Sequence, residues 1–481
     1  MVRVPRPATH GAPPGALPVS APMARILILG GGGVRVPRLV HGLVDPARAL
    51  PIEVIHLFDV DAARAGAMAL LCRELASEAG SRVRIEVASD RHRLPVVDHI
   101  LTAIRPGGDE GRARDEALCR SLGVLGQETT GAAGFFMILR TVGPLLEAVA
   151  AALERSPGAW VLNFTNPAGV MTEALVRRGA RRTVGICDTP SHLIEELAPA
   201  LGLDPEALVP AYTGLNHMGF FTGLRDADGS DRLPEILRRY EELAAVVRPL
   251  SYFPADWVRS LGCLPIEYVH YYHDRVGTLA RQAAATSGRG AQIVALNRTL
   301  WQDLNRLLPG DPAGALAAWR EQMATRSSTY MRVETGSHVL REVSAASYFE
   351  REGYEAVAIA VMQALSGRHE RTLVLDAPNA GSIGWAEHDD DVFELSFAVG
   401  ADGLSPRPGP ALAGEALALV QSVKAYERLA LEAALRPTRE AMVAALVAHP
   451  LVGDEERAAR LLDTAAAAGV EVVRDSAPRG V

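Results

Sequence analysis

The chain has 481 residues, 49 of them basic and 57 acidic, for a formal net charge of −8. With 48% apolar residues it can bury a large core, which excludes a disordered chain, and its acidic balance lacks the basic surface that nucleic acid or an anionic membrane requires. No uninterrupted apolar run reaches the roughly 18 residues of a membrane span, and four scattered cysteines (Cys72, Cys119, Cys187, Cys263) form no disulfide framework, so a reducing cytoplasm is the expected setting.

Residues 1–22 are rich in Pro, Ala and Gly and lack the apolar centre of a secretory signal. They are expected to be a disordered extension or a start-site artefact, with Met23 directly before the first strand. From there short apolar runs alternate with helical periods: strands at Arg25–Leu29, Ile52–Phe58, Arg82–Val87 and Val96–Ile104, a helix over about Phe135–Glu154, and strands at Trp160–Asn163 and Thr183–Cys187. Runs that are apolar throughout fit parallel strands buried on both faces, so residues 23–190 are expected to form a Rossmann-type, doubly wound α/β domain. Residues 191–481 are more helical. Leu419, Val423, Tyr426 and Ala430 fall at 4, 3 and 4 spacing, and strand-like pieces lie at Arg371–Leu375 and Val392–Val399, which predicts an α+β domain packed on the first.

Gly30, Gly31, Gly32 and Gly33 follow the first strand and open a helix, and Asp59 closes the next strand. Such a turn lets backbone approach a pyrophosphate at a helix N-terminus, and an acid in that place takes ribose hydroxyls, favouring NAD over its 2′-phosphorylated form. Arg35 stands where the third glycine of the usual fingerprint belongs, so a plain tight βα turn is the competing explanation.

Polar clusters gather where strands are expected to end, the place where open α/β sheets bind ligands. They are Arg105-Pro106-Gly107-Gly108 with Arg112, Asp115 and Glu116; Gly126-Gln127-Glu128-Thr129-Thr130-Gly131; Asn163-Phe164-Thr165-Asn166-Pro167; Gly185-Ile186-Cys187-Asp188; Gly214-Leu215-Asn216-His217; and Pro265-Ile266-Glu267-Tyr268-Val269-His270-Tyr271-Tyr272. Singly, each has an ordinary explanation as a turn, a satisfied histidine or an inert thiol. Together, in this order, they resemble glycoside hydrolase family 4, from Ile26 to about Val452, where Val423–Leu429 and His449–Val452 also match.

The resemblance implies an NAD- and divalent-metal-dependent glycosidase that departs from the usual two-carboxylate mechanism. Hydride leaves C3 of the sugar for NAD, the resulting ketone acidifies the C2 proton, a base removes it, the aglycone is eliminated from C1, water adds, and the hydride returns. By the same resemblance Cys187 and His217 are the ligands of a manganese-type ion, Tyr268 is the base, Glu128 raises its basicity and Asp188 is the proton donor. Arg112 and Asn166 fall at substrate positions, as does Arg289. Arg105, Arg112 and Arg289 carry the charge that a sugar 6-phosphate needs, with pairing of Arg105 and Arg112 to Asp115 and Glu116 as the structural alternative. The implied substrate is a 6-phospho-β-glucoside, with a 6-phospho-α-glucoside or an unphosphorylated glycoside of the same family as alternatives, since Asp188 resembles the α-acting branch. The assembly implied is a homodimer or homotetramer with no nucleic-acid or membrane partner. A different class, an NAD-dependent hydroxy-acid dehydrogenase, would share the cofactor turn and accumulate NADH.

Overall fold

The apolar runs pair as one sheet. In the computed structural model, which describes residues 23–48, 50–337, 344–345, 348 and 353–470, the strands are β1 (Ala24–Leu29), β2 (Ile52–Phe58), β3 (Arg84–Ala88), β4 (His99–Thr102), β5 (Trp160–Asn163), β6 (Thr183–Gly185), β7 (Val209–Leu215), β8 (Met218–Arg225), β9 (Leu264–Pro265), β10 (Arg371–Pro378), β11 (Val392–Gly400) and β12 (Gly403–Pro406). The expected extension 1–22 lies outside the described residues.

Strands β3-β2-β1-β4-β5-β6 run parallel in that spatial order, the doubly wound arrangement expected of the amino-terminal half. Ile26, Leu27 and Ile28 have no exposure at all, because helices cover both faces of β1. Two strands are shorter than their apolar runs suggest. The run at Val96–Ile104 contributes only His99–Thr102, and the last parallel strand stops at Gly185, which leaves Cys187 and Asp188 beyond the sheet.

The sheet does not end at residue 190. Strand β10 joins β6 in antiparallel sense through a single residue pair, Asp376 with Gly185, and β11, β7, β8 and β9 continue from it, with β12 on β11. A side chain at 185 would clash there, since its Cβ would lie 2.4 Å from Thr172 Oγ1 and 2.7 Å from Asp376 Cβ. Strands β7 and β8 form a hairpin whose two-residue turn is Asn216-His217.

Among the described residues one helix, Gly131–Arg155, is long and apolar enough to cross a membrane by length and composition, although its sequence contains no unbroken apolar run of that length. Its inner face packs in the core, from Phe135 and Phe136 to Val149 and Ala152, and its Arg140 pairs with Asp115 at 2.6 Å. The helix Gly414–Leu435 lies against it. Of the stripe expected there, Val423, Tyr426 and Ala430 are buried and Leu419 is half-buried. The same helix carries a buried ion network: Lys424 Nζ donates to Glu173 Oε2 at 2.5 Å and to the Val392 carbonyl at 2.9 Å, with Glu427 at 3.4 Å, and Arg428 pairs with buried Asp391. Replacing Lys424 by Met leaves buried Glu427 without that cation and Glu173 with Arg177 alone. The expected outcome is a loss of about 3–5 kcal/mol in urea unfolding, the cost of breaking a buried pair from one side.

Candidate active site

The carboxyl ends of β1, β4, β5 and β6 open into one cavity of about 780 Å³, at the point where the strand order reverses between β1 and β4. Its wall contains Gly30, Gly32, Gly33, Asp59, Arg105, Arg112, Glu128, Asn166, Cys187, Asp188, His217, Tyr268 and Arg289. Every sequence-derived site residue except Gly31 therefore faces the same space.

The glycine turn is shaped by close backbone contacts. Gly30 has φ +90°, and a Cβ there would lie 2.5 Å from the Ala103 carbonyl oxygen. Gly31 is a correction: it faces strand β2 and not the cavity, its N–H donates to the Phe58 carbonyl at 2.8 Å, and a Cβ would meet that of Leu57 at 2.7 Å. Gly32 donates to Asp59 Oδ2 at 2.9 Å, while Asp59 Oδ1 accepts from the Asp61 N–H at 2.9 Å, so the expected ribose acid is held rigidly against the turn. Gly33 meets only the Gly30 carbonyl, at 3.3 Å, and Val36. A cradle closed to side chains on three residues, beside a helix N-terminus and a fixed carboxylate, fits a dinucleotide.

Glu128 is the electrostatic centre of the cavity. Its Oε2 accepts from Arg105 Nη1 at 2.9 Å and pairs with Arg112 Nη1 at 2.8 Å. Burial opposes its charge, but the two guanidinium groups outweigh burial and hold the carboxyl far below the usual range. Arg112 also donates through Nε to Glu116 Oε1 at 2.8 Å, and Glu116 Oε2 accepts from the Gly290 N–H at 2.6 Å. The structural alternative for the arginines is thus half realised: Arg112 pairs with Glu116, Asp115 takes Arg140, and Arg105 goes to Glu128. Arg289 donates to Thr329 Oγ1 at 2.7 Å and to the Arg326 carbonyl at 2.6 Å. The three arginines expected to meet a phosphate are all engaged by protein.

His217 sits in the β7–β8 turn with φ +62°, which brings its imidazole into the cavity, where it stacks on the Tyr268 ring with centroids 3.8 Å apart and planes 5° from parallel. Thr129 Oγ1 lies 2.8 Å from its Nδ1, and burial lowers its pKa to about 4 against the pull of Glu128 and Asp188. A neutral imidazole with one nitrogen fixed from behind is the form that ligates a metal. Burial pushes the Cys187 thiol well up, with Glu394 and Asp188 adding to the effect, so a thiolate there needs a cation. Among the described residues no cluster of three or more His, Cys, Asp and Glu side chains suits a metal ion. Cys187 and His217 fit a metal that keeps most of its positions open for water and substrate.

Tyr268 is buried, and burial together with the charges of Glu128 and Glu267 raises its pKa well above that of free tyrosine, while a hydrogen bond from Tyr330 works the other way. Glu128 therefore makes the phenolate more basic from a distance and does not hydrogen-bond to it. Asp188 precedes the helix Thr189–Ala200. Burial opposes its charge, but His192 and Arg35 prevail and keep its carboxyl below the ordinary range. The expected proton donor is thus a carboxylate at neutral pH. Sequence reasoning did not single out Thr129, His192, Arg326 or Tyr330. Thr129 stands within a quoted motif, whereas Arg326 and Tyr330 lie at a helix end that carries no local signature.

The turn supplies a test of its own geometry. Gly30→Ala should lose about 1–3 kcal/mol in thermal or urea unfolding because it needs both a left-handed backbone and space the Ala103 carbonyl occupies. Gly33→Ala, which needs no left-handed backbone and meets only the Gly30 carbonyl at 3.3 Å, should lose less.

Comparison with known proteins agrees with this geometry. Residues 25–203 match the model of the family 4 glycosyl hydrolases, and residues 212–452 match that of the family 4 glycosyl hydrolase C-terminal domain. The chain is 27% identical over 449 residues to a probable 6-phospho-beta-glucosidase of Bacillus subtilis (strain 168), covering 91% of this chain and 95% of the relative. It is 35% identical over 214 residues to 6-phospho-alpha-glucosidase 1 of Lacticaseibacillus paracasei, 44% of this chain and 48% of that one. The 6-phospho-beta glucosidase of Thermotoga maritima, solved with manganese, NAD+ and glucose-6-phosphate, superposes with a TM-score of 0.76 at 25% identity, over 94% of this chain and 99% of that one. With both halves of the chain accounted for by one pair of models, this protein belongs to family 4 of the glycosyl hydrolases.

Proposed function

We propose that the protein hydrolyses 6-phospho-glucosides, with the β-anomer preferred, using bound NAD and a divalent metal, manganese in the first instance. The observation that carries this reading is the convergence of the glycine cradle, the Cys187–His217 pair and Tyr268 on one cavity. The β preference is supported by the Bacillus subtilis relative, which the chain matches nearly end to end. The α-acting reading keeps a place because of the Lacticaseibacillus paracasei relative and the aspartate at 188. A cytoplasmic homodimer or homotetramer belongs to the same proposal.

NAD, when bound, accepts and returns the C3 hydride, and the metal polarises the C2 and C3 oxygens. The rest is done by the chain. Gly30, Gly32 and Gly33 admit the cofactor's phosphates, and Asp59 is positioned for the ribose. Cys187 and His217 would hold the cation, and the His217 imidazole stacks on the Tyr268 ring. Tyr268 takes the C2 proton. Glu128, clamped by Arg105 and Arg112, keeps a fixed negative charge near that phenol without spending a hydrogen bond on it, and Asn166 offers an amide to the sugar.

The deciding experiment is incubation with aryl α- and β-glucosides, with and without 6-phosphate, in D₂O with NAD⁺ and Mn²⁺. Release of the aryl alcohol only from the 6-phospho-β substrate, deuterium at C2 of the sugar and no net NADH are expected. Stoichiometric NADH without cleavage would identify a dehydrogenase instead. Tyr268→Phe should lower turnover by at least about 10²–10⁴-fold, the contribution of a positioned base, while NAD binding measured by calorimetry stays intact.

A further inference from the structure

The stretch Gly126–Thr130 faces two ways. Glu128 turns to Arg105 and Arg112, whereas Gln127 and Thr129, on either side of it, turn to each other and to His217. Thr129 Oγ1 lies 2.8 Å from His217 Nδ1 and donates to Gln127 Oε1 at 3.0 Å. The direction of the hydrogens along this line follows from Gln127. Its Oε1 also accepts from the backbone N–H of Thr129 at 2.7 Å and of Thr130 at 2.6 Å. Only the amide oxygen can face two N–H donors, so the side chain has one orientation, and a hydroxyl that meets this oxygen has to donate to it. A hydroxyl has a single hydrogen. With it spent on Gln127, Thr129 Oγ1 meets His217 as an acceptor, and the ring nitrogen opposite must be Nδ1–H. In a neutral imidazole the lone pair then sits on Nε2. With the hydroxyl hydrogen turned to Nδ1 instead, two oxygens would face each other at 3.0 Å with no hydrogen between them.

Both ends of the line are anchored separately. Gly126 donates its N–H to Gln282 Oε1 at 3.1 Å and accepts from Gln282 Nε2 at 2.9 Å, which fixes the start of the stretch. Gly134 leaves room for the other end, since a Cβ there would lie 2.5 Å from the Thr129 carbonyl oxygen. His217 is set by the β7–β8 turn and by its stacking on Tyr268. Thr129 does not line the large cavity; with His217 it borders a second space of about 20 Å³. It therefore reaches the ring from outside the space where substrate would lie.

We propose that Thr129, with its hydroxyl hydrogen committed to Gln127, is a positioning residue that sets the tautomer of His217 and so assigns Nε2 to the divalent cation. This rests on the metal role of His217 in the function proposed above. An imidazole free to exchange tautomers would offer a cation N–H instead of a lone pair for part of the time, and a hydrogen bond at the far nitrogen removes that state and fixes the plane of the ring. One short stretch of chain then both orients the metal ligand and, through Glu128, supplies the charge beside Tyr268.

Histidine-selective ¹⁵N labelling of the metal-free enzyme reads the tautomer, with His217→Asn to assign this ring among the 13 histidines. A protonated Nδ1 and an unprotonated Nε2 are expected in wild type. Calorimetric titration of Mn²⁺ and, separately, of NAD into wild type, Thr129→Val and Thr129→Ser gives the second readout. Thr129→Val keeps the shape and loses the hydroxyl; it should bind Mn²⁺ about 10–100-fold more weakly and lose the preference for Nδ1–H, while Thr129→Ser recovers most of both and NAD affinity stays within about twofold throughout. A wild-type ring protonated at Nε2 overturns the proposal. So does Mn²⁺ affinity unchanged in Thr129→Val, a serine variant as weak as the valine one, or an equal loss of NAD binding, which would make Thr129 a plain structural residue. Wild type that shows the Nδ1–H ring and the dependence of Mn²⁺ binding on Thr129, but cleaves neither anomer of an aryl 6-phospho-glucoside, would sink the proposed function and leave this relay standing. Cleavage by an enzyme whose His217 is protonated at Nε2 would do the reverse, and wild type that takes up no Mn²⁺ would overturn both.

Discussion

The clamp of Arg105 and Arg112 on Glu128 sets the terms for everything else in the cavity. The Glu128 carboxylate stays ionised against burial because Arg112 and Arg105 meet one of its oxygens, with Arg326 adding to their pull. That arrangement has three effects at once. It fixes a negative charge near Tyr268, it ties the loop after β4 to the helix Gly108–Ser121 and to the strand-less stretch at Gly126–Thr130, and it holds two guanidinium groups in the cavity wall. Glu116 extends the same frame to the second half of the chain by accepting the Gly290 N–H, where a side chain would collide with the Ala113 backbone at 2.7 Å.

The parallel half of the sheet was legible because burial on both faces forces unbroken apolar runs, and such runs stand out in a sequence. The grouping of site residues was legible for a related reason: parallel strands point their carboxyl ends the same way, so polar clusters far apart in sequence must meet. What escaped notice depends on pairing across long distances. The hairpin of β7 and β8 contains Gly214 and Gly219 and so lacks a plain β signature, and the continuation of the sheet past β6 depends on Gly185 leaving room for Asp376. The pairing choices of the arginines could not be ranked from sequence, since Arg105 faces several acids in one-dimensional order and the fold decides which lies within reach. Arg326 was invisible for the same reason, as an arginine near a helix end usually meets solvent.

The carboxy-terminal signature around Lys424 has a different character from the catalytic motifs. Lys424, Glu427 and Arg428 do not line the cavity. They lock the helix Gly414–Leu435 onto Glu173 of the helix after β5 and onto Asp391 at the start of β11. A motif can resemble a family's because it holds the scaffold together, and such a motif says nothing about chemistry. The separation is useful here: the polar groups that do the proposed chemistry come from strand ends and turns, while those that hold the halves together come from helix faces.

The helix Gly131–Arg155 has a consequence for biosynthesis. It meets the length and composition of a membrane span, and the helix packed on it, Gly414–Leu435, leaves the ribosome long afterwards. A growing chain therefore presents a greasy cylinder for much of translation. The strand β4 and the Gly108–Ser121 helix, both of which precede it in the chain, pack against that cylinder and are made before Gly414–Leu435 is.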